Sequence, residues 1–321
     1  MKKILVTGSI AYDYIMHFND IFSQHILPEN LKILNVSFTA DKMSKNFGGT
    51  AGNICYSLSL LQEKPHIFSS VGQDFDEYRK RMEELNINTE YVHVYPDEWT
   101  ASAHIITDQD DNQITAFHGG AMLKNNISIR PILEKECFDY AIIAADGRDG
   151  MLLHSKELKE ANIPYIYDPG QSLPSFQKEE LRTLIKGAKI AIMNEYEKNL
   201  LLTKAELSEQ DLLQNLEFLL ITKGGKGSVM YQRDKEPVVI PPAKAKKVVD
   251  PTGAGDAYRG GLLKGLLLDL PLQEAAYLGS VVGSYAVEHV GTQSYSYTPE
   301  QFIQRFIDSY GTREYLEKLF V

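Results

Sequence analysis

The chain has only two cysteines in 321 residues, Cys55 and Cys137, far apart and without metal-ligand spacing. That excludes a cysteine-built metal site and reads as buried or free thiols in a reducing compartment. No run of about 18 consecutive apolar residues occurs, so no transmembrane helix is expected. The first residues carry two lysines and a brief apolar run, shorter than a secretory signal needs, and the expectation is a cytoplasmic protein. There is no long Lys/Arg run, and the formal net charge is −10. Both argue against a nucleic-acid binder, which would show a basic face. The short cluster Lys244, Lys246 and Lys247 reads as a solvated strand entrance. No Gly-x-x-x-x-Gly-Lys-Ser/Thr sequence is present, which excludes a P-loop. No internal repeat or low-complexity linker divides the chain, so residues 1–321 are expected to form one domain.

What is present is an ordinary globular composition, 43% hydrophobic and 24% charged. Short β-rich runs alternate with longer helical patterns. The strand candidates are Ile4–Thr7, Ile67–Ser70, Tyr140–Ala144, Tyr165–Tyr167, Ile190–Met193, Phe218–Thr222 and Ser228–Tyr231. Several are near-continuous apolar runs, as strands buried on both faces require. Helix candidates are Gly52–Leu61, Asp74–Leu85, Met151–Ala161, Gln177–Lys186, Glu195–Leu202, Ala254–Leu268, Leu272–Val287 and Pro299–Phe306. The alternation predicts a parallel α/β sheet with helices on both sides.

Two segments break this rhythm. Residues 14–47 hold Phe18, Phe22, Ile33, Leu34, Val36 and Phe38 with little helical period. Within residues 91–118, Trp99–Thr107 and Ile114–Phe117 flank the turn Asp110-Asp111-Asn112-Gln113 and read as a hairpin. Together they predict a small β-sheet lid outside the main sheet; the alternative is an extended edge of that sheet.

Five constellations bear on chemistry. Val248-Val249 followed by Asp250-Pro251-Thr252-Gly253-Ala254-Gly255-Asp256 reads as a short strand, a glycine-rich turn and a helix start. Unpaired N–H groups and the helix dipole make such a start an anion site. Asp256 would repel a phosphate there, which a role as general base explains; helix capping is the plainer account. Asn46-Phe47-Gly48-Gly49-Thr50-Ala51-Gly52-Asn53 is a second glycine turn before an apolar helix, either a surface on which a ligand lies against the backbone or a capped flexible turn. Asp13, in Gly8-Ser9-Ile10-Ala11-Tyr12-Asp13, follows the first strand, where open α/β sheets bind ligands, and can accept two hydrogen bonds from a vicinal diol; it is otherwise a turn residue. Asn194-Glu195-Tyr196-Glu197 either holds Mg²⁺ through water or caps a helix. Thr222-Lys223-Gly224-Gly225-Lys226-Gly227 is a hairpin turn or a backbone cradle for phosphates.

In this order and spacing, the glycine pair at Gly48-Gly49, the Asn194/Glu197 pair and Asp250–Asp256 resemble the PfkB carbohydrate kinases, also called the ribokinase family. The resemblance spans nearly the whole chain. It implies a Rossmann-like, three-layer α/β core with a small β-sheet lid, ATP as donor, Mg²⁺, and K⁺ as a candidate activator at a loop after Asp250. It makes Asp256 the catalytic base and Gly253, Ala254 and Gly255 the anion hole. It makes Asn194 and Glu197 the Mg²⁺ and phosphate network, Glu197 acting through water. Thr222, Gly224 and Gly227 would contact ATP, and His289 would lie near adenine. Lid sheets in the family often dimerise.

Val6–Asp13, Phe22-Ser23-Gln24 with Leu27-Pro28-Glu29, Phe38–Asp41, Ala116–Met122, Asp168-Pro169-Gly170-Gln171 and Asp256-Ala257-Tyr258-Arg259 resemble the bacterial adenosine kinases more than ribokinases or fructokinases. This implies 5′-phosphorylation of a nucleoside, adenosine first. Asp13, Gly48, Gly49 and Asn53 would hold the ribose. Phe117 would stack on the purine, and Ser9 and Gln171 would bond its edge. The chain departs from that group at Ala101-Ser102-Ala103, where those kinases present an aromatic. A sugar kinase on the same fold and a catalytically silent nucleoside-binding protein are the rival readings.

Overall fold

A computed structural model describes residues 2–26, 36–110 and 112–320. Leu27-Pro28-Glu29, Ile33, Leu34 and Asp111 lie outside the described residues. The main sheet runs from edge to edge as β13 (Val238–Ile240), β12 (Ser228–Tyr231), β11 (Phe218–Thr222), β10 (Ile190–Asn194), β9 (Tyr165–Tyr167), β8 (Tyr140–Ile143), β1 (Ile4–Thr7), β4 (His66–Gly72) and β5 (Val92–Tyr95). The pairings from β11 to β5 are parallel, and β12 and β13 add antiparallel at one edge.

Side chains alternate between two cores, as the period of two along a strand dictates. Ile4, Val6, Ile142, Ile190 and Ile192 face a core shared with α1 (Thr50–Leu60), α2 (Asp76–Glu84) and α8 (Ala254–Leu267). Leu5, Ala141, Ile143, Ala191 and Met193 face the opposite core, closed by α3 (Arg130–Lys135), α4 (Arg148–Glu160), α5 (Lys178–Gly187), α6 (Glu195–Ala205) and α7 (Glu209–Asn215). A third apolar cluster packs α9 (Leu272–Ala286) and α10 (Pro299–Tyr310) outside α8. Among the described residues, no helix is long and apolar enough to cross a membrane. Cys55 is buried and Cys137 exposed, both free.

The second sheet has the order β3 (Ala40–Gly48), β2 (Ala11–Phe18), β6 (Ala101–Thr107) and β7 (Gln113–His118). Strands β6 and β7 are the expected hairpin. The Asp108 carboxylate shapes its turn by accepting from the N–H groups of Asp110 (3.0 Å) and Asn112 (2.9 Å). Phe18, Phe22 and Phe38 cluster at one end of this sheet.

Three expectations need correction. Residues 92–95 belong to the edge of the main sheet as β5, not to the lid, because Val92 is buried against the first core. Val248 and Val249 form no strand. Both are exposed, and the N–H groups of Val249 (2.7 Å) and Asp250 (3.2 Å) instead satisfy the Val287 carbonyl at the end of α9. The lysines 244, 246 and 247 therefore lie on a connecting segment rather than at a strand entrance.

Candidate active site

From β1 the chain adds β4 and β5 on one side of the sheet and later builds β8, β9 and β10 on the other. The order thus reverses beside β1, and open α/β sheets bind ligands beyond the strand ends at such a point. Both glycine turns and the root of the lid meet there.

The first turn starts α1. Gly49 has φ +84°, and a Cβ there would lie 2.6 Å from both the Ala11 nitrogen and the Ser9 carbonyl oxygen, so only glycine fits. The approach is made by the protein's own backbone, not by a ligand. The first-turn N–H groups are all used. Thr50 donates to Ser9 Oγ (3.1 Å), Ala51 (3.0 Å) and Gly52 (3.4 Å) to the Ser9 carbonyl, and Asn53 to the Gly49 carbonyl (2.9 Å). Ser9, expected at the purine edge, is 4% exposed and committed to this helix end. Its hydroxyl is spent where four backbone donors need acceptors.

The second turn starts α8 and differs. Gly253 has φ +75° and packs against Thr292. No side chain caps the helix. Ala254 N–H donates to the Pro251 carbonyl (3.2 Å), but among the described residues the N–H groups of Gly255 and Asp256 find no acceptor. Two free donors at the positive end of a 14-residue helix are suited to hold an anion.

The Asp256 carboxylate stands in this turn. Its Oδ2 accepts from Asn53 Nδ2 (2.8 Å), Asn53 Oδ1 accepts from Gln293 Nε2 (3.0 Å), and Gln293 also reaches the Tyr78 hydroxyl (2.5 Å). Asn53 is thus spent largely on Asp256 rather than left open for ribose, because its amide is buried between Gln293 and the carboxylate. Desolvation pushes the Asp256 carboxyl up to about 7, against the opposing pull of Arg259 and Asn53, with Asp168 and Asp13 raising it further. A carboxylate near 7 has the basicity a general base needs at neutral pH.

Asp13 lies on β2. Its Oδ2 is 2.5 Å from where a Cβ on Gly48 would be, so a side chain at Gly48 would displace it. Burial pushes the Asp13 carboxyl up to about 6. The strand register aligns Asn46, Asp13, Ala103 and Phe117 in one row across the lid, on one face. Phe117 shares that face with Asp13 and is 54% exposed. Gln171 is the second residue of a short 3₁₀ turn (Gly170–Ser175) after β9 and is exposed.

Further along the sheet ends, Asn194 and Thr222 pair across the ends of β10 and β11, and Gly224 follows with open space where its Cβ would be. Asn194 and Glu197 form a reciprocal capping box (2.8 and 2.9 Å) at the start of α6. Desolvation raises the Glu197 carboxyl, with Arg259 and Asp168 near enough to act on it. His289 hydrogen-bonds the Tyr285 carbonyl (3.1 Å) at the end of α9. Gly227 closes the same turn, its N–H donating to the Gly224 carbonyl (3.0 Å). It has φ +83° and packs against the Ile240 carbonyl of β13, which by itself accounts for glycine there.

The sequence reading missed the buried pair Arg259–Asp168, the chain through Gln293 and Tyr78, and the buried Asp146. Asp146 accepts from Asn125 Nδ2 and Gly147 N–H at the end of β8. The signal for the first was a charged residue, Arg259, within the apolar face of α8.

The model of the pfkB family of carbohydrate kinases matches residues 1–300. The chain belongs to that family. Within it, the chain is similar to the nucleoside kinase of Methanocaldococcus jannaschii, at 33% identity over 308 residues, covering 95% of this chain and 97% of that protein. The nucleoside kinase of Burkholderia thailandensis in complex with inosine superposes with a TM-score of 0.87 at 39% identity, covering 97% of this chain and 99% of that one. The same enzyme in complex with ADP-inosine gives 0.83 at 40% identity, covering 97% of each chain. The architecture is the α/β ribokinase-family fold.

Proposed function

We propose that the protein transfers the γ-phosphoryl group of ATP to the 5′-hydroxyl of a nucleoside, with adenosine as the first acceptor and inosine as its nearest alternative. The observation that carries this is the pairing, in one helical turn, of two unsatisfied N–H donors with the desolvated Asp256 carboxylate. The relatives support the acceptor class, since those named above are nucleoside kinases and one holds inosine. A complex of that relative with ADP-inosine supports ATP as donor.

In this reading the nucleoside lies between the lid row and the sheet ends. Asp13 accepts hydrogen bonds from the ribose hydroxyls, beside Gly48 and Gly49. Phe117 covers the base from the lid, and Gln171 borders it from the core. Asp256 takes the 5′-hydroxyl proton as that oxygen bonds to the γ-phosphorus and the bond to the β–γ bridging oxygen breaks, releasing ADP. The N–H groups of Gly255 and Asp256, with the Gly253 and Ala254 backbone, hold the charge on the transferring group. Asn194, Thr222, Gly224 and His289 border the nucleotide.

No group of three or more acidic, His or Cys side chains suited to a metal occurs among the described residues. Mg²⁺ keeps much of its water and takes few protein oxygens, so a single carboxylate such as Glu197 would suit it. Glu197, with one oxygen on the Asn194 N–H, would hold it through water. When bound, Mg²⁺ would supply positive charge to offset that of the phosphates.

The test is a substrate panel with MgATP, read by chromatography of the phosphorylated product. Adenosine 5′-monophosphate is the expected product. Turnover of ribose or fructose with none of adenosine or inosine would overturn the acceptor. Thermal stabilisation by adenosine with no ADP formed would favour a silent binding protein. Repeating the assay in KCl against choline chloride reads the K⁺ expectation. Strand β7 is exposed along its whole length, which suits pairing of two lids in a homodimer; sedimentation measures it.

A further inference from the structure

Arg259 lies one turn into α8, three residues after Asp256 and four after Gly255, so all three share one side of the helix. Helical side chains lean toward the N-terminus. Its Nη1 accordingly comes within 2.9 Å of where a Cβ on Gly255 would be. The residue is buried. Its Nε and Nη2 make a two-pronged contact with the Asp168 carboxylate, the Nη2–Oδ1 distance being 2.6 Å. Nη1 has no acceptor among the described residues. A cation at the positive end of a helix is unfavourable, and burial adds to that cost. Asp168 offsets the burial, but an ion pair could do so anywhere in the core. Its position behind the anion hole asks for a separate reason.

The surroundings of Asp256 supply one. Facing it are Asn53 from α1, Asp13 from β2, Asp168 after β9, Tyr295 beyond α9, and Arg259 on its own helix. Arg259 in turn faces Asp168, Asp256, Glu197 from α6 and Tyr258. Three further carboxylates therefore surround the base and its cation. Crowded like charges favour protonation, and a protonated carboxyl cannot accept the hydroxyl proton.

We propose that Arg259 is a positioning residue for the phosphoryl transfer: fixed by Asp168 behind Gly255, it keeps the Asp256 carboxylate ionised among its acidic neighbours and so able to act as base. This rests on the phosphotransfer reading above. It also explains Gly255, where a side chain would push the guanidinium out of place.

The test is the acid limb of the pH dependence of kcat/KM for nucleoside phosphorylation, measured for the unaltered protein, Arg259→Gln, Arg259→Lys and Asp168→Asn. Arg259→Gln removes the positive charge and should move the limb up by about one pH unit. Asp168→Asn keeps an amide oxygen to accept from the guanidinium while removing a negative charge, and should move it down. Arg259→Lys should stay near the unaltered value. A purely structural ion pair predicts the same behaviour for Arg259→Gln and Asp168→Asn, since both break it. Limbs that stay put or move together would overturn the inference. Should Arg259→Gln fail to fold, a limb unmoved in Asp168→Asn overturns it alone. Absence of product from the unaltered protein would instead overturn the phosphotransfer reading, and this inference with it.

Discussion

Two glycine-rich turns open helices α1 and α8, and the fold treats their first N–H groups in opposite ways. At α1 the four leading donors all find acceptors, the hydroxyl and carbonyl of Ser9 after β1 and the Gly49 carbonyl of the turn itself supplying them. At α8, among the described residues, no side chain caps the helix, and the Gly255 and Asp256 N–H groups find no acceptor. In sequence the two look alike: glycines, a small polar residue, then an apolar helix. The difference lies in what packs against them. Ser9 arrives from β1 and closes the first turn, whereas no described residue does the same for the second. A glycine turn before a helix thus identifies a strained corner, and only its neighbours decide whether that corner binds an anion.

The strongest test of this contrast is Asp256→Asn, which should lower turnover on the order of a hundredfold or more in a coupled ADP assay while leaving the fold intact. Near-normal turnover would remove the base from the second turn. The two glycines should then part company. Gly49→Ala should cost about 3 kcal/mol in denaturant unfolding, because its Cβ meets backbone on both sides. Gly253→Ala should cost about 1–2 kcal/mol yet lower turnover on the order of a hundredfold, since it tilts the free donors. A stable Gly49→Ala with lost turnover would break the comparison.

Ser9→Ala should be milder, lowering stability by about 1 kcal/mol as an N-terminal acceptor is lost. The nucleoside KM should hardly change; a tenfold rise, on the order of 1.4 kcal/mol, would return Ser9 to the purine edge.

The smallest expected effect concerns Asp146, beside the same sheet ends. Burial pushes its carboxyl from 3.8 up to about 7, against the hydrogen bonds from Asn125 and Gly147. The folded chain therefore binds this proton more tightly than the unfolded one. The stability it contributes is complete below about pH 4 and is lost as the pH rises through about 7. Asp146→Asn does not ionise, so its Tm relative to the parent should climb by a few degrees between about pH 5 and pH 8. A difference that does not change with pH would show that Asp146 keeps an ordinary carboxylate.

The core was readable because its strands are buried on both faces and its helices are strongly periodic. Tyr165–Tyr167, Phe218–Thr222 and Ser228–Tyr231 stand where the sequence predicts them. Val92–Tyr95 was misassigned to the lid because a four-residue edge strand with two exposed residues carries little pattern. Arg130–Lys135, Glu209–Asn215 and Val238–Ile240 are too short for a periodicity to register. In the candidate site, Asp13, Asn53 and Asp256 are legible from their motifs. Gln293 and Asp168 are not, since their partners Asn53 and Arg259 lie 240 and 91 residues away.

The sequence by itself determined the α/β alternation, the two glycine turns and the carboxylate after the second, because each follows from local spacing and backbone freedom. Only the tertiary structure decided which turn keeps its donors free, which amides and hydroxyls are already spent, and where the Arg259 guanidinium comes to rest. Those outcomes depend on contacts between residues far apart in the chain, and a hydrogen-bond donor is available only when nothing folded against it has taken it.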